Sequence, residues 1–164
     1  MQIIIKKMET DEEIKGKAFV HWRAWHEAYA GLINAEYLGK LTLDKYKEIA
    51  YRWRDNILVA LDGGRVVGFA GYGECSRDDP DAGELFALYV LPEYWGKGAA
   101  QKLADAAMQM LSARSRIGLW VLKENKRAIR FYEKNGFAPD GREQFLEALG
   151  ASEIRMILER SIDR

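Results

Sequence analysis

The sequence contains little of several features that identify specialised classes of protein. It has 1 cysteine and 3 prolines among 164 residues, and a lone cysteine cannot form an internal disulfide. Lysine and arginine together number 25, as do aspartate and glutamate, so the formal net charge is zero. Domains that bind nucleic acid usually carry a basic excess, and we therefore expect no nucleic-acid partner.

Long apolar runs are also missing. The first apolar run, at residues 3–5, is too short for a signal-peptide core or a membrane span. We therefore expect a cytoplasmic protein that does not associate with a membrane. The length and the 48% hydrophobic content are those of one domain with one core, so residues 1–164 are expected to form a single domain.

Hydrophobic periodicity and turn residues predict the order of the secondary-structure elements. Asp62-Gly63-Gly64 indicates a hairpin turn, Asp140-Gly141 indicates a second turn, and an extended segment begins at Phe137. The predicted strands cover residues 3–6, 57–61, 65–72, 84–91, 117–122 and 152–158, and the predicted helices cover 11–29, 34–39, 43–53, 97–111 and 125–135. This mixed order is typical of an α/β or α+β fold, in which helices cover a central sheet.

The most informative segment is LYVLPEYWGKGAAQKLADAAM, at residues 88–108. A predicted strand ends at Pro92, and a helix follows after a short turn. The turn consists of Trp95, Gly96, Lys97, Gly98, Ala99 and Ala100. Glycines in such a turn let the first helical N–H groups approach an anion, and the helix dipole favours negative charge there. The turn therefore indicates a phosphate site, although residue 101 is Gln and the dinucleotide pattern G-x-G-x-x-G is not matched.

A second segment, LWVLKENKRAIRFYEKNGF at residues 119–137, combines a strand, Asn125 and a helix that carries Tyr132. Asn125 and Tyr132 are seven residues apart and share one helix face. In this order the two segments resemble the GNAT superfamily of acyl-coenzyme-A-dependent N-acetyltransferases, whose pyrophosphate signature is Q/R-x-x-G-x-G/A. Gly98 and Ala100 occupy its last two defined positions, while Trp95 stands where the family usually has Gln or Arg. The resemblance is close over residues 57–137.

The resemblance implies a fold and a reaction. The fold would be a mixed, twisted sheet with helices on both faces, splayed between the strands at residues 84–91 and 117–122. The reaction would move the acetyl group of acetyl-CoA to a primary amine by direct attack, without a metal. A non-catalytic coenzyme-A-binding or sensor module with this fold is the alternative. A homodimer formed through the C-terminal strands would also be compatible with the family.

The resemblance also assigns roles to individual residues. Tyr132 would protonate the departing thiolate, and a backbone N–H near Tyr89 or Val90 would stabilise the oxyanion. Glu84 begins the strand that leads to the glycine turn, and it is the predicted general base or water-positioning group. The residues expected to contact the coenzyme are Tyr89, Val90, Trp95, Gly96, Lys97, Gly98, Ala99, Ala100, Asn125 and Tyr132.

The acceptor stays open at this stage. Protein N-termini, polyamines, amino acids and aminoglycoside-like amines all carry a suitable nitrogen. An acidic lining would favour a polyamine, and the candidate carboxylates for it are Glu36, Asp78, Asp79 and Asp81. Trp22, Trp25 and Tyr29 recur at helical spacing, which is most often a core stripe, although this region commonly lines the acceptor side in the family.

Overall fold

The computed structural model describes residues 2–162, which form one seven-stranded sheet and five α-helices. The strands are β1 (Ile3–Lys7), β2 (Ile57–Asp62), β3 (Arg65–Gly73), β4 (Gly83–Val90), β5 (Arg116–Leu122), β6 (Ala138–Leu146) and β7 (Ala151–Glu159). The helices are α1 (Asp11–Ala28), α2 (Ala35–Gly39), α3 (Leu43–Arg52), α4 (Ala99–Met110) and α5 (Lys126–Lys134), with a 3₁₀ turn at Pro92–Tyr94. The predicted mixed fold class is confirmed.

The strand order in the sheet is β1-β2-β3-β4-β5-β7-β6. Every neighbouring pair is antiparallel except β4 and β5, which are parallel. These two strands pair only at their beginnings, where Gly83 faces Ile117 and Glu84 faces Gly118. Beyond that point they diverge, as the family resemblance implies, and a cleft opens in the middle of the sheet.

Helices cover both faces of the sheet, and two adjacent residues of β3 show this. The Lys17 ammonium of α1 lies 4.8 Å from the centroid of the Phe69 ring. A Cβ added at Gly68 would lie 3.1 Å from Leu103 Cδ1 of α4. Neighbouring residues of a strand point to opposite faces, so α1 and α4 pack on opposite sides. Glycine at position 68 lets α4 approach the strand closely.

Local hydrogen bonds fix where the helices begin. The side chains of Thr10, Thr42 and Asn125 each accept a hydrogen bond from a backbone N–H in the first turn of α1, α3 and α5. At α1, the Glu13 carboxylate also accepts a hydrogen bond from the Thr10 N–H, and this second bond completes a capping box. These caps satisfy N–H groups that have no partner inside the helix.

Two predicted boundaries are wrong. The helix expected to begin at Lys97 begins at Ala99, because Gly98 adopts a left-handed conformation with φ of 88° and cannot continue into a helix. The turn expected at Asp140-Gly141 lies inside β6, where the pairing with β7 is irregular between Pro139 and Glu143. The glycine there has φ of 93° and forms part of a bulge rather than a chain reversal.

Candidate active site

The divergence of β4 and β5 creates a cleft with a volume of about 720 Å³. It is lined by β4 from Glu84 onward, the end of β5, the glycine turn, α5 and the C-terminal end of α1. All of the predicted site residues except Lys97 and Ala99 lie along this lining. The Lys97 ammonium instead lies 5.7 Å from the centroid of the Tyr94 ring, and Ala99 is fully buried.

The glycine turn presents unpaired backbone N–H groups at one end of the cleft. Gly96 and Gly98 have φ of 72° and 88°, and a Cβ at either position would meet no atom within 4 Å. The first bond of α4 runs from the Lys102 N–H to the Gly98 carbonyl, at 3.1 Å. The N–H groups before Lys102 in this helix therefore have no helical acceptor. Such a helix N-terminus suits the phosphates of a ligand.

Trp95, which departs from the family signature, makes two specific contacts. Its indole N–H donates to the Val90 carbonyl at 2.9 Å. Its ring also stacks on Arg127 of α5, with the guanidinium carbon 3.4 Å from the ring centroid. The tryptophan thus joins the end of β4 to the first turn of α5 beside the glycine turn.

Val90 also directs its backbone toward the cleft. The next residue, Leu91, donates its N–H to Val67 of β3 at 2.9 Å. Backbone groups alternate in direction along an antiparallel strand, so the N–H and C=O of Val90 point away from β3. That side of β4 faces β5, where pairing has already ended. The Val90 N–H can therefore serve a ligand in the cleft.

Helix α5 and its N-cap bring polar and basic groups to the same cleft. Asn125 lines the cleft and caps the helix, since its Oδ1 accepts from the Ala128 N–H at 3.3 Å. Arg127, Arg130 and Lys134 follow at spacings of three and four residues, which place them on one side of the helix, and all three line the cleft. Their positive charge lies beside the glycine turn and adds to its attraction for phosphate.

Three tyrosines line the part of the cleft beside the C-terminal end of α1, which we call its deep end. The hydroxyls of Tyr29 and Tyr89 are 3.1 Å apart and share a hydrogen bond. Tyr132 reaches the cleft from α5, and burial, followed by the nearby Tyr89, raises its pKa above the ordinary phenol value. Tyr132 therefore carries its proton at neutral pH, as an ordinary tyrosine does, and that proton is available for donation.

Glu84 lies at the base of the cleft, and it is almost entirely buried. The fully buried guanidinium of Arg155, on β7, donates from Nη1 to Glu84 Oε2 at 2.7 Å, and its Nη2 lies 2.7 Å from Oε1. Arg155 also donates to Ser76 at 3.1 Å. The prediction that Glu84 acts as general base conflicts with this geometry, because both carboxylate oxygens are already held by a cation.

Sequence reasoning missed two other residues of this region, Arg155 and Glu153. Both lie on the same side of β7, since alternate residues of a strand share a face. Arg155 secures the base of the cleft, and Glu153 contributes a half-buried carboxylate to its lining. Their alternation with Ile154 and Met156 was the available signal, but that pattern is also typical of a solvent-exposed strand face.

The aromatic stripe of α1 divides between two roles. Trp25 and Tyr29 line the cleft, whereas Trp22 packs against Phe19 and His26. The carboxylates considered for a polyamine site, Glu36, Asp78, Asp79 and Asp81, do not belong to the cleft lining. None of the helices in residues 2–162 combines the length and the apolar character needed to span a bilayer.

Comparison with known proteins places these features in a family. Residues 19–137 match the model of the acetyltransferase (GNAT) family. The uncharacterised N-acetyltransferase YuaI of Bacillus subtilis is 34% identical over 130 residues, which are 74% of this chain and 73% of that protein. An uncharacterised N-acetyltransferase of Archaeoglobus fulgidus is 34% identical over 119 residues, covering 67% of this chain and 79% of that one.

A solved structure shows the same fold. The PaiA N-acetyltransferase of Thermoplasma acidophilum, crystallised in complex with coenzyme A, superposes with a TM-score of 0.76 at 24% identity. The superposition covers 97% of this chain and 99% of that chain. The splayed sheet described above is therefore the fold of these enzymes.

Proposed function

This chain belongs to the GNAT family of acetyltransferases and is an acyltransferase, and we propose that it moves the acetyl group of acetyl-CoA to a primary amine. One observation carries the proposal. The cleft between β4 and β5 brings a glycine turn at a helix N-terminus, a free strand edge and the side chain of Tyr132 into one cavity. These are the groups that a thioester-dependent transfer to nitrogen requires.

The coenzyme's pyrophosphate would bind at the glycine turn. Gly96, Gly98 and Ala100 leave the backbone N–H groups unobstructed, and Arg127 and Arg130 supply positive charge beside them. Asn125 would add a side-chain contact while it continues to cap α5. The PaiA N-acetyltransferase, which has the same fold, was crystallised in complex with coenzyme A, and this supports coenzyme A as the ligand of the cleft.

The oxyanion that forms during the attack would be stabilised by the free edge of β4. We assign this role to the Val90 N–H, which points into the gap between the strands. A backbone donor fixed in a sheet is preorganised, so it needs no rearrangement when negative charge develops on the carbonyl oxygen. Tyr89, the neighbouring residue predicted for this role, directs its backbone toward β3.

The departing thiolate would receive its proton from Tyr132. Burial keeps this phenol protonated at neutral pH, and its side chain lines the cleft. Protonation prevents the thiolate from attacking the new amide, and a positioned acid of this kind typically contributes about 10²–10⁴-fold in rate.

Glu84 takes a structural role in this proposal. Its ion pair with Arg155 joins β4 to β7 across the first residues of β5. The strands β4 and β5 are paired as far as Glu84 and Gly118, and they separate beyond these residues. The pair therefore helps to set where the cleft begins.

A non-catalytic coenzyme-A-binding module is the second candidate, and one contact favours it. Arg155 already holds both oxygens of the Glu84 carboxylate, which was the predicted general base. A binding module needs no base, so it is compatible with this arrangement.

One experiment separates the two candidates. The purified chain is mixed with acetyl-CoA and with each of a panel of primary amines, and the release of free thiol is followed. An acetyltransferase releases thiol at a rate that depends on the amine, and mass spectrometry finds the acetylated product. Tight binding of acetyl-CoA without amine-dependent thiol release would support the binding module instead.

Several features of the whole protein stay predictions. A cytoplasmic location and a single domain over residues 1–164 are expected from the composition. A homodimer through β6 and β7 would follow the family, and light scattering tests it.

A further inference from the structure

One carboxylate of the cleft has no cation beside it. Glu153, on β7, is half-buried in the cleft lining, and its Oε1 accepts a hydrogen bond from Gln144 Nε2 at 3.1 Å. Within residues 2–162 its Oε2 accepts no hydrogen bond, and no lysine, arginine or histidine forms an ion pair with it. Partial burial of an uncompensated carboxylate is unfavourable, so the site is suited to a cationic ligand.

Glu153 faces Leu122 across the pairing of β5 and β7, and Leu122 packs in one buried cluster with Tyr29. Burial raises the pKa of both Tyr29 and Tyr89, and the negative charge of Glu153 adds to the shift at each. Burial also raises the pKa of Glu153 itself, although its bond to Gln144 offsets part of this effect. A carboxylate with a raised pKa is a better proton acceptor than an ordinary one.

The wall around this end of the cleft is apolar and aromatic. It is formed by Trp25, Ala28 and Tyr29 from the end of α1 and by Leu149 from the turn between β6 and β7. Leu149, Tyr29 and Leu122 belong to one small buried cluster. The basic residues of the lining, by contrast, all come from α5, where the coenzyme's phosphates would lie.

We propose that the acceptor is a singly charged primary amine on an apolar or aromatic body, and that Glu153 binds its ammonium group and accepts its proton. This inference rests on the proposed acetyl transfer. The apolar wall would receive the carbon body, while Glu153 would hold the nitrogen at the deep end of the cleft.

The proposed reaction begins at the ammonium group of the acceptor. The ammonium gives one proton to Glu153, and the lone pair of the neutral nitrogen forms a bond to the thioester carbonyl carbon. The C–S bond then breaks, and its electron pair leaves on sulfur. The sulfur takes a proton from Tyr132, whose hydroxyl regains one from the acetylated nitrogen. Glu153 finally releases its proton to water, so the products are the amide, coenzyme A and one proton.

Two other acceptor classes fit the cleft less well. A polyamine carries several positive charges, yet Glu84 and Glu153 are the only carboxylates in the lining formed by residues 2–162, and Glu84 is paired with Arg155. An α-amino acid carries a carboxylate that needs a cation near the nitrogen site, and Glu153 has no such cation beside it. A single ammonium with an uncharged body matches the one free carboxylate.

Binding and turnover test the proposal separately. The probes are 2-phenylethylamine, spermidine and phenylalanine, titrated into the chain saturated with coenzyme A and then assayed with acetyl-CoA. We compare the wild type with Glu153→Gln and with Glu147→Gln, a matched control on the exposed turn beside Leu149. The expected result is that 2-phenylethylamine gives a kcat/KM at least ~10-fold above either other probe. Glu153→Gln should weaken its binding ~10-fold or more and lower kcat/KM by ~10²-fold, with unchanged affinity for acetyl-CoA, while Glu147→Gln behaves as wild type.

The outcomes distinguish this inference from the proposed function. Transfer that is unchanged in Glu153→Gln, or transfer that prefers spermidine or phenylalanine, would overturn the inference and leave the acetyltransferase intact. Binding of 2-phenylethylamine that depends on Glu153 but leads to no transfer would support the amine site and contradict the proposed function. If Glu147→Gln weakens the binding and transfer of 2-phenylethylamine as much as Glu153→Gln does, the effect is one of general surface charge. This result also overturns the inference.

Discussion

The guanidinium of Arg155 on β7 holds the carboxylate of Glu84 on β4, although the two residues are 71 positions apart in sequence. Between them lies Gly118 of β5, where an added Cβ would collide with the Arg155 guanidinium unless that buried group moved. Ser76 and Asp78, from the loop before β4, complete the surroundings of the guanidinium. This buried network fixes the three strands at the point from which the cleft opens.

Removing the arginine is expected to destabilise the fold strongly. Arg155→Met leaves the buried Glu84 carboxylate without its counter-ion, which typically costs about 3–5 kcal/mol. Arg116→Met is the matched control, because it removes an arginine whose ion pair with Asp79 is partly exposed, and such pairs contribute about 0–1 kcal/mol. Urea denaturation measures both. Equal, small losses for the two variants would contradict a structural role for the buried pair.

Removing the hydroxyl of Tyr132 on α5 is expected to lower turnover without weakening coenzyme binding. Tyr132→Phe should lower kcat by ~10²-fold or more, because the thiolate then has no positioned acid. The acetyl-CoA dissociation constant should change little, since the ring remains in the cleft. Tyr72→Phe serves as control, because Tyr72 is a buried tyrosine outside the cleft lining. Turnover of Tyr132→Phe equal to that of the control would remove Tyr132 from the mechanism.

The imidazole of His21 makes the free energy of unfolding depend on pH. His21 stacks on Tyr89 with ring centroids 5.4 Å apart, and it also contacts Tyr46 and Phe69. Burial, followed by the charge of Lys17, lowers the pKa of His21 from 6.5 to about 3. The folded state therefore disfavours the imidazolium. The contribution of the neutral imidazole to the free energy of unfolding is complete above pH 6.5 and is lost as the pH falls toward 3.

The measurement for this prediction is urea denaturation of the wild type and of His21→Phe at pH 8, 6, 5 and 4. The wild type should lose roughly 3 kcal/mol through this group between neutral pH and pH 4. His21→Phe cannot take up the proton, so its loss over the same interval should be smaller by about that amount. Each protein is compared with itself at pH 8, which removes any constant cost of the substitution. Parallel pH curves for the two proteins would contradict the assignment.

The sequence predicts the parts of the fold that depend on local chemistry. Gly96 and Gly98 are needed because only glycine readily takes the positive φ of that turn, and this requirement is visible without a structure. The hairpin at Gly63 and Gly64 follows from the same reasoning. Asp140-Gly141 misled the prediction, because a left-handed glycine serves a bulge as well as a turn.

The site could be predicted only where its residues form a motif. Asn125 and Tyr132 were found because they share a helix face within one family-like segment. Glu153 and Arg155 could not be found, because their roles depend on pairing between β7 and β5 and on the opening of the sheet. The ion pair of Glu84 with Arg155 could not be predicted for the same reason, since its partner lies on a strand far along the chain.

A calorimetric titration shows whether the glycine turn holds acetyl-CoA in the cleft. Acetyl-CoA is titrated into the wild type, into Gly98→Asp and into Gly141→Asp, whose glycine has a similar φ and equally open surroundings on β6. The account predicts binding in the micromolar range for the wild type and for Gly141→Asp. Gly98→Asp should raise the dissociation constant at least ~10-fold, because its carboxylate stands where the phosphates approach the helix N-terminus. A folded wild type that does not bind acetyl-CoA, or a Gly98→Asp variant with unchanged affinity, would contradict this role of the glycine turn.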